Sequence, residues 1–402
     1  MTKANISNNV VDGLTILDLS RVLAGPYCTQ VLADHGAEVI KVESPIGDHT
    51  RYWGPPIQDG TAAYFTGLNR NKRSISLDLT TDDGKGILLK LIESADVLIE
   101  NFKPGTMEKW GLGYENVLKD RFPTLVYCKI SGFGETGPLG GLPGYDAVIQ
   151  AMSGLMSING EENSTPLRIG IPIVDIACGL YASVGILMAL NERASSGAGQ
   201  LIDISLFDTA LSILHPHAAN YLMSEVDPVP SGNAHPNISP YDKFPTRTCD
   251  IYLGIGNDSA FRSLCAHLKI DSVAEDPRFG SNEKRVLNKS ALRSILVESM
   301  QGFDGQELAD QLLRAGLAAG PVRTVREALA SEQAISNGCM LEADDYRGVS
   351  TPLHMQRPTA SGLKHKPPRL GEHTREVLRE LGFDSQQIDQ LFNDAVVKEN
   401  DA

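Results

Sequence analysis

The chain has 402 residues, 42% of them hydrophobic and 21% charged, enough for a large core and for two or three domain-sized units. Lys and Arg number 36 against 50 Asp and Glu, a formal net charge of -14. A chain this acidic lacks the global positive field that sequence-independent nucleic-acid binding requires, although a local basic patch can still hold a phosphate.

Six cysteines (Cys28, Cys128, Cys178, Cys249, Cys265 and Cys339) are scattered without a CxxC pair, the pattern of buried free thiols in a reducing compartment. The opening MTKANISNNVVDG has no apolar core of the signal-peptide kind, and no run approaches about eighteen uninterrupted apolar residues. The expectation is a cytoplasmic, soluble protein that engages neither membrane nor nucleic acid.

In chain order, LTILDLS (14–20) reads as a strand, Gly25-Pro26 opens a helix through Asp34, His35-Gly36 closes it, and AEVIKVE (37–43) is the next strand. This β-α-β unit is the seed of a parallel, Rossmann-like sheet. RSISLDL (73–79), a capped helix after TTDD, ADVLIENF (95–102) and TLVYCKISGF (124–133) continue the pattern. Residues 175–194 are apolar nearly all round and predict a buried helix, and GQLIDISLFDTAL (199–211) a strand running into a helix. Pro, Gly, Ser and Asn crowd the chain from about residue 225. The expected fold is α/β: a large domain over residues 1–224, a smaller α+β domain over 225–315, and a segment 316–402 that returns to the large domain and ends in a helix.

SRVLAGP, after the first strand, lacks the GxGxxG that brings backbone up to a pyrophosphate, and GIGNDS (254–259) lacks the third glycine. The histidines, His215 and His217 among them, match no metal spacing, and no GxSxG elbow is present. Neither a metal nor a prosthetic group is expected. Asp175 stands out in RIGIPIVDIACGLYA, between an apolar strand-like run and an apolar helix. It reads either as a helix N-cap or as a nucleophilic carboxylate aimed by a helix N-terminus. Lys72 and Arg73 read as solvated surface bases.

The segments LDLSRVLAGPYCTQVLADHGAEVIKVE, NRNKRSISLDL, ADVLIENFKPGTMEKWGLGYE, SGFGETGP, GYDAVIQAMSG, DIACGLYAS, GPVRTV and PRLGEHT resemble, in order, the family III CoA-transferases of the formyl-CoA and carnitine CoA-transferase type. The resemblance implies an interlocked homodimer with CoA, as substrate, on the Rossmann-like domain. It places the catalytic aspartate at Asp175. CoA contacts fall at Leu23 and Ala24, at Leu77, Asp78, Leu79 and Thr80 around the adenine, at Asn101, Phe102 and Lys103, and at Lys109 near the phosphates. Tyr145 and Asp146 line the reacting end. Ser44 stands where some members use Arg, and the glycine-rich lid is reduced to Gly232-Asn233-Ala234.

The implied reaction moves CoA between an acyl-CoA and a carboxylic acid through aspartyl anhydride and aspartyl-CoA intermediates. Arg168 and GYDAVIQAMSGLM resemble the branch acting on dicarboxylates such as succinyl-CoA with glutarate; Arg168 reads equally as a surface residue. Two alternatives stay open. An α-methylacyl-CoA racemase would carry His where Tyr145 stands, and tyrosine is a poor base at neutral pH. A non-catalytic CoA-binding protein would have no use for Asp175.

Overall fold

Short apolar runs separated by helical patterns build one large sheet in the computed structural model, which describes residues 10–343, 345–356 and 362–399. Its strands β1 (Thr15–Asp18), β2 (Glu38–Glu43), β3 (Lys72–Leu77), β4 (Val97–Glu100), β5 (Val126–Ser131) and β6 (Leu201–Ser205) are parallel. Their spatial order is 3-2-1-4-5-6. That is the order of doubly wound nucleotide-binding sheets, whose ligand crevice opens at the carboxyl edge where the order reverses, here between β1 and β4. A two-residue strand, Val397–Lys398, adds antiparallel to β3.

Parallel strands are covered on both faces, so they read as nearly continuous apolar runs. Neighbouring residues of one strand serve opposite layers. Ile16 packs with Cys28, Val97, Cys178 and Ile186 under the helices α1 (Ala24–Asp34) and α4 (Ile173–Ser196). Leu17 packs with Ile75, Leu88, Leu98 and Val377 under α2 (Asp82–Ile92) and the helix Thr374–Glu380. Local chemistry sets the ends. Thr81 caps α2 by accepting from Gly84 N at 3.0 Å, and Gly36, at φ +116°, turns the chain after α1.

Helix α4 departs from the expectation of a buried helix. Val174, Cys178, Ala182 and Ile186 are buried, whereas Leu180, Tyr181, Val184, Leu187 and Met188 are each 43 to 67% exposed. By length and composition it is the one described helix apolar enough to cross a membrane. Its inner face meets α1 at backbone distance: a Cβ on Gly179 would lie 2.6 Å from the Ala24 carbonyl oxygen. Glycine is required there, and the first turn of α1 lies beside the second turn of α4.

Lys72 is not a solvated base. It is fully buried, and its ammonium donates to Asp18 Oδ2, the Pro26 carbonyl and Asn69 Oδ1, each at 2.9 Å. Arg73 is half-buried and meets Glu38, Glu376 and Glu380. Beside Lys72, Lys41 donates to the Ser20 carbonyl at 2.9 Å and pairs with Asp48 at 3.3 Å. Burial opposes the charge on Asp18, but Lys72 and Lys41 outweigh it and hold the carboxyl well below the usual range. Removing one partner from such a cluster costs about 3–5 kcal/mol.

The chain divides into two compact units: residues 1–155, 169–218 and 335–402 form the larger, and 156–168 with 219–334 the smaller. The smaller unit has an antiparallel sheet of Tyr241–Pro245, Asp250–Gly254 and Ala318–Pro321, with Asp250–Gly254 in the middle. Three helices, Asp258–His267, Lys289–Met300 and Gly305–Arg314, close its core around Phe244, Leu253, Phe261, Leu296 and Leu312.

Candidate active site

The carboxyl edge of the large sheet collects most of the residues singled out in the sequence. Leu23 is the N-cap of α1 and Ala24 its first residue; both are buried, and no side chain caps the helix. Asn101, Phe102 and Lys103 leave β4 across the reversal point. The Asn101 side chain accepts from Arg21 N at 2.8 Å and donates to Arg21 O at 2.7 Å, which clamps the two loops together. The Arg21 guanidinium lies 5.2 Å from the Phe102 ring.

Leu77 to Thr80 leave β3 two strands from β1, about 10 Å away at normal strand spacing. Leu77 and Leu79 are core residues, so Asp78 and Thr80 supply the accessible surface; Asp78 Oδ1 accepts from the Thr80 N–H and hydroxyl. Lys103 and Lys109 are exposed, and neither forms an ion pair among the described residues. Ser44 lies just beyond β2 on the same edge, exposed.

Asp175 is the third residue of α4, whose N-cap position is Pro172. The capping carboxylate is Asp146, the first residue of α3 (Asp146–Met152). Its Oδ2 accepts from Val174 N at 2.8 Å and Asp175 N at 3.2 Å, and its Oδ1 from Gln150 Nε2 at 2.6 Å. The N-cap reading of Asp175 therefore gives way: that role belongs to Asp146. Tyr145, just before it, is 57% exposed.

Asp175 is 8% exposed, and its carboxylate accepts no hydrogen bond among the described residues. Burial first, and the Asp146 charge second, push its carboxyl up to about 7. A buried carboxylate that neither a donor nor a cation quenches has the electrostatic setting that functional carboxylates often show.

Two nearby groups escape a reading of the sequence. Tyr64 is half-buried; burial and the charges of Asp175 and Asp146 push its hydroxyl up to about 12, and Trp53 meets its ring edge-on at 5.3 Å. No local pattern marks it. Glu100 is buried behind the Asn101 loop, accepts from Phe102 N at 2.6 Å and from the Tyr127 hydroxyl at 3.3 Å, and is pushed up to about 7 by burial. Its place before Asn101 in IENF was the available signal.

Arg168 and the short lid segment belong to the smaller unit. Arg168 is exposed. Gly232, at φ +62°, bonds through its N–H to Gly160 O at 2.8 Å, and the Tyr252 hydroxyl donates to Asn233 O at 2.6 Å, so Gly232-Asn233-Ala234 is a pinned turn.

Comparison with known proteins bears on the family of the whole chain. The model of the family described as CoA-transferase family III matches residues 11–374. The chain is 42% identical to the succinate--glutarate CoA-transferase of Agrobacterium fabrum over 383 residues, 92% of this chain and 95% of that protein. It is 37% identical to the succinyl-CoA:glutarate CoA-transferase of Homo sapiens over 406 residues, 98% of this chain and 92% of that one. A crystal structure of a CAIB/BAIF family protein from Brucella suis matches with a TM-score of 0.84 at 42% identity, covering 93% of this chain and 100% of that one. With one family model running through most of the large unit and the whole of the smaller, the chain belongs to CoA-transferase family III.

Proposed function

We propose that this CoA-transferase moves CoA from a dicarboxylyl-CoA, succinyl-CoA or a close analogue, to a dicarboxylic acid such as glutarate, with Asp175 as the covalent carrier. The observation that carries the reading is the Asp175 carboxylate, nearly buried and without a hydrogen-bond donor among the described residues. CoA occupies that edge along Leu23, Ala24, Leu77 to Thr80 and Asn101 to Lys103, with Lys109 toward the phosphates and Tyr145 at the reacting end. Asp146 holds the α4 terminus and contacts substrate less than its neighbours do, because its oxygens serve the cap.

The steps balance without an external energy source. An Asp175 oxygen attacks the thioester carbonyl, the C–S bond breaks, and CoA leaves as thiolate from a mixed anhydride. The thiolate attacks the aspartyl carbonyl and expels the donor carboxylate, leaving aspartyl-CoA. The acceptor carboxylate displaces the thiolate to form a second anhydride. Thiolate attack on the acceptor carbonyl then gives the new acyl-CoA and restores Asp175. Backbone N–H groups at the start of α1 are the proposed donors to the oxyanions, a contribution of about 3–4 kcal/mol per donor.

The named activities of the Agrobacterium and human relatives support a dicarboxylate pair. Arg168 is the proposed partner of a distal carboxylate, since a guanidinium grips one at two points. The exposed stripe of α4, Leu180, Val184, Leu187 and Met188, supports a homodimer, because a soluble monomer rarely leaves a contiguous apolar patch open. A light-scattering mass of one chain would remove the dimer.

Asp175→Ala is expected to abolish transfer while calorimetry still detects CoA binding; transfer at an undiminished rate would end the proposal. In the wild-type enzyme, log kcat/KM is expected to rise with pH and level off above about 7, because protonated Asp175 cannot attack and its folded carboxyl titrates there. A profile flat from pH 5 to 8 would contradict the assignment.

A further inference from the structure

Between β1 and α1 the chain holds a valine in a backbone conformation that valine avoids. Val22 has φ +70°, a left-handed geometry in which a β-branched side chain is strained. Nothing in SRVLAGP compels it, so the surroundings must. Asn101 grips both backbone groups of Arg21 from one side. From the other side, Asp48 accepts the Val22 N–H, at 3.2 Å to Oδ2 and 3.4 Å to Oδ1.

Asp48 is itself fixed. It is 1% exposed, accepts from Thr50 N at 3.0 Å and the Thr50 hydroxyl at 2.8 Å, pairs with Lys41 at 3.3 Å, and donates its own N–H to Glu43 at 3.0 Å. Glu43 is locked in turn by Arg51, at 2.6 and 2.9 Å. The strained residue thus hangs from a rigid buried lattice, directly before Leu23 and Ala24, where α1 opens its uncapped terminus.

We propose that Asp48 is a positioning residue: by accepting the Val22 N–H it holds Val22 left-handed and so aims the Leu23–Ala24 turn at acyl-CoA. This rests on the reading that CoA lies along the carboxyl edge. Asp48 acts through Val22 and contacts no reacting atom. A merely structural Asp48, present only to neutralise Lys41, would affect the melting temperature and leave CoA affinity alone.

The test uses the full-length enzyme, with calorimetric Kd for free CoA and steady-state KM for succinyl-CoA as readouts. Val22→Pro leaves the Lys41–Asp48 pair intact but forbids positive φ and removes the N–H. It is expected to weaken CoA binding at least tenfold, with KM moving more than kcat. Asp48→Asn is expected to do the same. Adding Val22→Gly to Asp48→Asn is expected to recover most of the affinity, because glycine adopts the left-handed geometry without strain, although no ion pair is restored.

Wild-type Kd in Val22→Pro would overturn the proposal, as would failure of glycine to rescue Asp48→Asn. Should Asp48→Asn not fold, the contrast of Val22→Pro with Val22→Gly decides alone, the second being expected to keep wild-type Kd. Lys103→Ala separates the two readings. If it leaves Kd unchanged, CoA does not lie along this edge and the proposal falls with that reading. If it weakens binding while Val22→Pro does not, only the positioning role fails.

Discussion

The site depends on one contact, the Asp146 carboxylate on the free N–H groups of Val174 and Asp175. A helix N-terminus needs acceptors, and a carboxylate supplies both the acceptor oxygens and a charge that the helix dipole favours. Because Asp146 fills that need from another segment, Asp175 is not consumed as a cap and keeps its oxygens unbonded. The same contact brings a second negative charge close and, with burial, raises the energy of ionised Asp175. A single interaction therefore fixes the helix terminus, leaves the Asp175 oxygens free of that role and adds to the effect of burial on its proton affinity.

Around that contact the fold supplies precision through close backbone approach and buried charge. Gly179, one turn after Asp175, lets α4 lie against the start of α1. Beneath that loop, Lys72, Asp18, Lys41 and Asp48 are paired in the core. Buried ion pairs add little net stability, but they tolerate few alternative arrangements. Their placement under the β1 and β2 ends ties them to geometry at the crevice. The clamp of Asn101 on Arg21 joins the two sides of the reversal point in the same way.

The parts of the molecule legible in the sequence are those set by local chemistry. The strands of a doubly covered sheet announce themselves as apolar runs, and Thr81, Gly25-Pro26 and His35-Gly36 mark helix ends from within a few residues. What escaped depends on partners distant in sequence. Asp146 lies 29 residues from Asp175, so which of the two carboxylates caps the helix could not be told from the linear chain. Asp18 lies 54 residues before Lys72, which made a buried lysine look solvated. Helix α4 is apolar on both faces, and composition cannot say which face meets the core. Val22, Tyr64 and the two-residue edge strand carry no local signal at all. The positions drawn from family resemblance at Leu23, Ala24, Leu77 to Thr80 and Asn101 to Lys103 all lie along one sheet edge, which single-sequence patterns would not have assembled.

The claim that Asp175 becomes the acyl carrier is tested most directly by isotope transfer. Each turnover should leave an acceptor oxygen on Asp175, because the anhydride breaks at the acceptor carbonyl when thiolate attacks. The enzyme is incubated with succinyl-CoA and glutarate labelled with oxygen-18 in both carboxylates, and the peptide carrying Asp175 is weighed. The account predicts oxygen-18 in Asp175, dependent on acyl-CoA and absent from every other carboxylate of the protein. Product formation without label in that peptide would contradict it.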